Sequence, residues 1–486
     1  MLVTLKRLLK LTAGYSVVSI LGPLVAIFLT PLYTRRLEPA DYGVVDVALT
    51  IAYLLGTLSM LGMDTALSAH FFDGDTLHQQ RLVKTAYLTT GVLASLLALP
   101  LWVFAPYWAT WLFDDPHRSY VFYLVGLNIY GTTWNGLAII TLRLRMGIKR
   151  YNALGLWLLL ATAANNIVLI LILGLKATGA VAANTLAVLS TAGIGLWLVR
   201  EYFHGDFSFD LSKKLVITGV GLMPGALGGI LLNNADRLML TQYVSQTDLG
   251  LYAIANKLAS FAGILATAAL SALWPIMYEM AAKPEAPRQF ARLFEYYLSA
   301  ILGLSLGIGL FAPELLTIFT RALYLPAAPM VLSLVIYTGP LTFMTSFFCV
   351  GLTVTKRTHH ISAAFLLAAG VNVALNLWLN PMWGVWGAVW ATVSAGLIWV
   401  ALTYYLGQRA FPIQYRWLRQ TTLFSVYLVL VGTFLLVPQL QNIPAKLGGL
   451  AVFGAASLAV GVVSPAEINW AVTQVQQRLR QALFSS

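Results

Sequence analysis

The segments DYGVVDVA at residues 41–48 and DLGLYAIA at residues 248–255 stand 207 positions apart, and their likeness decides how the whole chain is read. Each keeps Asp-x-Gly at matching places and opens an apolar run. Lys149-Arg150 and Lys356-Arg357 recur at the same offset, and GAVAA from Gly179 returns as GAVWA from Gly387 at 208. Pro23 and Pro224 recur more loosely, at 201, which requires a short insertion between the copies. Three matches within one residue of a common offset mark an internal duplication, the sequence signature of many membrane transport folds.

The duplicated material is apolar. Of 486 residues 59% are hydrophobic and 10% charged, with a mean hydropathy of +0.78, whereas a soluble domain is about one quarter charged. At about 20 residues per span and about 10 to 15 per connection, the chain holds about fourteen spans and no soluble catalytic domain. Apolar runs fall near 14–34, 43–62, 85–105, 120–142, 152–173, 178–199 and 215–234, then 248–270, 294–312, 327–351, 361–380, 384–405, 421–438 and 446–463. Helices are expected, because lipid offers no partner to free backbone groups and the runs lack the alternation of a barrel.

Each repeat then holds six spans. An even number gives both copies the same orientation, so the pseudo-twofold axis runs along the membrane normal, with a substrate cavity expected between the bundles. The expected fold is an all-α polytopic protein of two pseudo-symmetric six-helix lobes plus two C-terminal helices. Residues 1–205 form the N-lobe, 206–410 the C-lobe, 411–465 the last two spans and 466–486 an amphipathic cytoplasmic tail. That tail opens with Ser464, Pro465 and Glu467 in a capping-box pattern.

The net charge of +12 sits in short breaks between spans, where it sets orientation rather than binding nucleic acid. Twenty-two Lys and Arg fall on one side and seven on the other, with Lys257 left inside a span. The rich side is read as cytoplasmic, and both termini with it. The apolar run after Lys6, Arg7 and Lys10 is too long for a signal peptide and reads as a retained first helix. A single cysteine, Cys349, excludes internal disulfides and cysteine metal sites.

Several motifs resemble the polysaccharide transporter family: LTPLYTRRLEPADYG at 29–43, LGMDTAL at 61–67, LRLRMGIKRY at 142–151, NNADRLML at 233–240 and DLGLYAIANKLA at 248–259. These are Wzx-like oligosaccharide flippases of the multidrug, oligosaccharidyl-lipid and polysaccharide exporter superfamily. The resemblance implies two six-helix lobes around a central cavity. It also implies a multi-pass flippase, in a bacterial inner membrane, for isoprenoid (undecaprenyl) pyrophosphate-linked oligosaccharides in surface polysaccharide synthesis. Implied partners are that lipid-linked oligosaccharide, membrane lipids, and a polysaccharide polymerase with its chain-length machinery. One departure is Ala69-His70 after DTALS, where relatives often carry an arginine followed by an aromatic.

No catalytic residue, metal site or cofactor is expected; the coupling ion, H+ or Na+, is left open. Lys257 is the sharpest candidate, nine residues past Asp248 and hence about 13 Å along a helix from the outer edge. A charge at that depth either faces a wet cavity and its phosphate cargo, or pairs with an acid or snorkels. Arg237, Arg35 and Arg36 are further candidate cavity cations, the last two with an alternative role as interfacial anchors. Asp46 and Asp236 suit either proton coupling or ion pairing, Asp46 with Arg35, Arg36 or Lys257 as expected partners. Arg143 and Arg145 would greet an anionic headgroup from the cytoplasm, or simply set topology. Asn165, Asn166, Asn372 and Asn376 join helices or bind sugar hydroxyls. Trp378, Trp383, Trp386 and Trp390 read as an aromatic belt.

Three functions compete: a flippase for lipid-linked oligosaccharide, a multidrug cation antiporter of the same superfamily, and a membrane polymerase or ligase. Cations outnumber acids among the candidates, which favours an anionic cargo. The longer breaks all map to the cytoplasm, which disfavours an enzyme with a periplasmic catalytic loop.

Overall fold

In the computed structural model, residues 21, 22, 25, 29–281 and 283–462 are described. Pro23, the start of the first span with Lys6, Arg7 and Lys10, and the expected tail with its capping box lie outside them. The described residues are helical with no strand, as the apolar runs require. Helix α1 (Pro39–Met60) and the short α2 (Met63–His70) come first, then α3 (Thr76–Val103), α4 (Ala105–Phe113), α5 (Tyr120–Leu144), α6 (Ile148–Asn166), α7 (Lys176–Leu198) and α8 (Phe209–Leu240). The second half holds α9 (Gln246–Ala281), α10 (Ala286–Leu310), α11 (Ala312–Phe319), α12 (Ala328–Ile336), α13 (Thr342–Val354), α14 (His359–Trp383), α15 (Val385–Ala410), α16 (Trp417–Leu436) and α17 (Ile443–Ala459).

Among the described residues ten stretches are long and apolar enough to cross a membrane, and the chain is an all-helical polytopic membrane protein. The expectation of fourteen differs at four places. Helices α5 and α8 are 25 and 32 residues long but carry polar side chains such as Asn128, Thr133 and Asn234. Helix α17 has only 17 residues, and of the first span residues 29–36 are described as helix.

Helix boundaries follow local chemistry. Asp75, Ser208 and Asn442 cap α3, α8 and α17 by accepting from His78 N, Leu211 N and Ala445 N, which satisfies otherwise orphaned donors. Pro39 and Pro287 sit in first turns, where a missing N–H costs nothing. Pro340 falls inside a wide turn, Tyr337–Leu341, between α12 and α13, and the extra residue in that turn absorbs the ring.

The chain divides into two compact units. The first comprises the residues up to Ala253 with Phe319–Tyr324 and Phe365–Ala391; the second comprises Ile254–Ile318, Leu325–Ala364 and the chain from Thr392 on. In the first, α5 lies against α7 through small residues, Gly131 on Val188 and Gly195 on Ala138, because membrane helices gain most from close van der Waals approach. In the second, Phe290, Phe294, Phe343, Phe347, Phe348 and Tyr415 build a ring cluster. Large apolar side chains such as Leu96 and Leu436 are 62% and 83% exposed, the surface expected of a protein whose solvent is lipid.

Candidate functional site

The Asp-x-Gly repeat places a helix crossing. A Cβ on Gly43 would overlap the carbonyl oxygen of Gln246, and one on Gly250 would overlap that of Pro39. Gly43 and Gly250 are related by the 207-residue offset, and so are Pro39 and Gln246. The contact is therefore reciprocal, residue for residue, as at a twofold axis. Only glycine admits a carbonyl so close, which explains why the repeat keeps it in both copies.

Three residues past Gly43, one turn deeper, Asp46 projects from α1. Its Oδ2 lies 3.1 Å from Arg237 Nε on α8, and the two side chains are 24% and 19% exposed. Arg237 Nη1 also donates to Asn234 Oδ1 at 3.4 Å. The neighbouring Asp236 is 3% exposed and accepts from the Arg237 backbone N–H at 2.9 Å and from the Tyr252 hydroxyl on α9. The result is a chain of charge and hydrogen bond, Asp46 to Arg237 and Asp236 to Tyr252, joining α1, α8 and α9. Beside it Tyr33, Tyr42 and Tyr324 stack edge to face with centroids 6.2 Å apart. The Tyr324 hydroxyl donates to Leu37 O and Thr34 Oγ1 to Phe319 O.

The site thus brings together Asp46, Asp236 and Arg237 from the sequence candidates. Asp46 finds its partner in Arg237, which spacing did not suggest. Asp236 and Arg237 take separate jobs, one bound to Tyr252 and the other reaching across to α1, as a 100° step around a helix allows. Arg35 and Arg36 are exposed just before Leu37. Lys257 is half-buried in α9, within the second unit, and its carbonyl accepts from Ser260 Oγ. Arg143 is exposed at the end of α5; Arg145 pairs with Glu201 and lies over the Tyr202 ring at 5.4 Å.

Of the asparagines, Asn165 Nδ2 donates to Ala183 O and Asn166 Nδ2 to Thr162 O, so these amides join or brace helices. Asn376 Nδ2 donates to Asn372, but Asn372 Nδ2, Asn376 Oδ1 and both polar atoms of Asn380 are buried with no hydrogen-bond partner. Unsatisfied buried amides on one helix face call for water, ion or ligand. Among the described residues no three His, Cys, Asp or Glu converge as a metal site. Trp378, Trp383 and Trp390 are 66%, 53% and 38% exposed, and Trp386 is half-buried.

Sequence reading missed Tyr252, whose single hydroxyl gives no signal, and two acids of the second unit. Lys446 is fully buried and its Nζ lies 2.6 and 2.8 Å from the two Glu314 oxygens. Glu295 is 2% exposed, with Arg292 and Arg416 at 3.8 and 3.9 Å.

A family model described as "Polysaccharide biosynthesis protein" matches residues 8–281. Among curated proteins, the succinoglycan biosynthesis transport protein ExoT of Rhizobium meliloti (strain 1021) is 25% identical over 315 residues, 63% of this chain and 61% of that protein. The match spans about three fifths of that relative. Among solved structures, the lipid II flippase MurJ in an inward closed conformation superposes with a TM-score of 0.66 at 12% identity, over 91% of this chain and 98% of that one. An inward-facing multidrug resistance MATE family transporter of the MOP superfamily gives 0.54 at 13%, over 82% and 93%. At such identities these two superpositions speak for the fold.

Proposed function

Because the chain belongs to the polysaccharide biosynthesis protein family, we propose that it is a flippase. It carries an isoprenoid pyrophosphate-linked oligosaccharide across the bacterial inner membrane by alternating access, with both termini in the cytoplasm. The name of the ExoT relative supports transport in polysaccharide synthesis, and a polymerase with its chain-length machinery would take the product.

The observation that carries the reading is the Asp46–Arg237 pair. A partly exposed guanidinium held 3.1 Å from one carboxylate exchanges that partner for a diphosphate, which offers more charge and the same forked geometry. Exposed Arg35 and Arg36 and half-buried Lys257 supply further cations, and exposed Arg143 meets the headgroup on the cytoplasmic side. A multidrug cation antiporter would need free acids. Here Asp46 is engaged by Arg237, and Asp236 by Tyr252 and a backbone N–H.

Deletion of the gene tests this directly: lipid-linked oligosaccharide should accumulate and be seen by mass spectrometry of lipid extracts. Unchanged lipid-linked pools with altered drug sensitivity would favour the antiporter. Lys257 gives a finer test. A charge at its depth costs roughly 2.5 to 3.5 kcal/mol on insertion scales. Lys257→Ala should cut flipping while the protein still inserts, Lys257→Glu should cut it further, and Lys257→Arg should retain most activity. Full flipping by a stably inserted Lys257→Glu chain would remove the residue from the cargo's path.

A further inference from the structure

Away from the Lys/Arg-rich end, α1, α3, α4, α5 and α8 of the first unit enclose a cavity of about 350 Å³. Its origin lies in Pro100, whose ring gives the α3 ladder no N–H. Helix α3 ends at Val103, the chain restarts as α4, and Trp108 Nε1 donates back to Pro100 O at 3.1 Å. Buried Ile51, Leu101, Leu112 and Phe122 wall the cavity, and exposed Leu96 and Trp111 rim it. Every lining side chain is a hydrocarbon or an indole, and the Trp108 N–H is already used. Close-packed interiors leave few spaces larger than a water molecule, so one of this size is a binding site. An apolar wall does not hold water; the ligand it accepts is a hydrocarbon chain.

Helix geometry separates this cavity from the charged pair. At about 100° per residue, Ile51 lies about 140° around α1 from Asp46 and Leu55 about 180°, so cavity and carboxylate occupy different faces. On α8, Leu238 turns about 100° from Arg237. The rim opens instead beside Leu96, Leu99 and Val103, an exposed apolar stripe along α3 that faces lipid. The chain that enters there comes from the membrane, not from a cargo held at Arg237. A polar partner stands close by. Arg118 lies about one turn before Phe122, its Nε donates to Asp115 Oδ2 at 3.3 Å, and its Nη1 is buried with no hydrogen-bond partner. An unpaired buried guanidinium donor calls for an acceptor, and phosphate oxygens match it.

We propose that the cavity holds one acyl chain of a membrane phospholipid whose phosphate meets Arg118. The lipid belongs to the leaflet away from the Lys/Arg-rich breaks. Its chain fills the space where α3, α4 and α5 meet α1 and α8, and so braces the two helices that carry Asp46 and Arg237. A ligand that binds only the folded chain stabilises it by mass action, so phospholipid should raise the melting temperature. The proposal does not rest on the flippase reading, and its test needs no transport assay.

The probe is a phosphatidylglycerol with a diazirine near the end of one acyl chain, added to the delipidated full chain in detergent. After illumination, peptide mass spectrometry reads the labelled positions. Lipid lying around the protein labels exposed sites such as Leu418 on α16; only a chain inside the cavity reaches buried Leu101, Leu112 and Phe122. Leu55→Phe and Leu97→Trp fill the cavity with side chain. Each should abolish label at the three buried positions, keep it at Leu418, and remove the rise in melting temperature given by phospholipid. Their melting in lipid-free detergent shows whether they fold. Arg118→Ala leaves the cavity wall intact, so it decides the matter even if both filled variants unfold: label at the buried positions should weaken about tenfold. Wild type without label at those positions, label that survives in a folded filled variant, or label unchanged in Arg118→Ala overturns the proposal. So does displacement by farnesyl diphosphate but not by unlabelled phosphatidylglycerol, which would give the cavity to an isoprenoid chain.

Discussion

Where α1 meets α9, two glycines press against carbonyl oxygens in a contact that maps onto itself under the 207-residue offset, with the Asp46–Arg237 pair one turn beneath. Where α1 and α2 meet α8, at the other end, two glycines again press against carbonyl oxygens, Gly62 on that of Gly219 and Gly219 on that of Leu61, but the repeat offset does not relate them. Gly62 touches Gly219, and around it stand His70, Asp73, Lys214, Thr89 and Ser212. The first is built from backbone approach and reads as a rigid, duplicated element. The second surrounds its own glycine contact with partly exposed, exchangeable hydrogen bonds, each worth little alone. A seam held by close backbone approach at both ends, with charged side chains added at one, has its adjustable part at the polar end.

The largest effect should come from breaking the reciprocal crossing. Alanine is a better helix former than glycine by about 1 kcal/mol, so Gly43→Ala and Gly250→Ala would stabilise if the space were free. With carbonyls in contact, each should instead cost about 1 to 3 kcal/mol by overpacking. Symmetry sharpens the expectation: the two costs should be similar, and the double variant should cost less than their sum, since the first substitution already parts the helices. Gly221→Ala on α8, where a Cβ meets open space, is the control and should be neutral or stabilising. Thermal unfolding of the purified chains checks all four; strictly additive costs at Gly43 and Gly250 would break the picture of one shared contact.

The crossing was legible because duplication leaves its mark in spacing: Asp41 and Gly43 recur as Asp248 and Gly250. Helix content and most spans were legible from hydropathy for the same reason that lipid dictates them. The partner of Asp46 was not legible. Arg237 lies 191 residues away, and no local period encodes which of several cations a helix packing will bring near. Lys446 stands at the start of the last apolar run, where hydropathy marks only the edge of a span, yet it is fully buried against Glu314. His70 stood out only as a departure from a resemblance; that its ring meets Asp73 and Thr218 is a fact of three-dimensional geometry.

An intermediate effect tests the charged pair under the crossing. Arg237→Met leaves Asp46 without its cation, and Asp46→Leu leaves Arg237 without its carboxylate. Since both are partly exposed, each single change should cost about 1 to 2 kcal/mol, below the range for a fully buried pair. The double variant should recover most of that, because two apolar side chains need no partner. Flipping should not recover, since the proposed diphosphate contact is gone. Recovery of both stability and flipping in the double variant would make Arg237 purely structural.

The smallest effect belongs to the polar end. The Asp73 carboxyl is held below its ordinary value, chiefly by the His70 hydrogen bond and then by Lys214. A depressed carboxylate contributes stability that is present above its unfolded value, near about 3.9, and is lost as pH falls through the folded one. Asp73→Asn should therefore lower the melting temperature slightly at neutral pH, and the gap should close as the pH falls below the ordinary carboxylate range. Asp73 is exposed, so salt should shrink the gap as well, by screening the Lys214 part of it. The Gly250→Ala cost, being steric, should show neither dependence. A gap at Asp73 that persisted in acid and in high salt would mean that charge adds nothing adjustable to the packing at this end, and the contrast between the two closures would be lost.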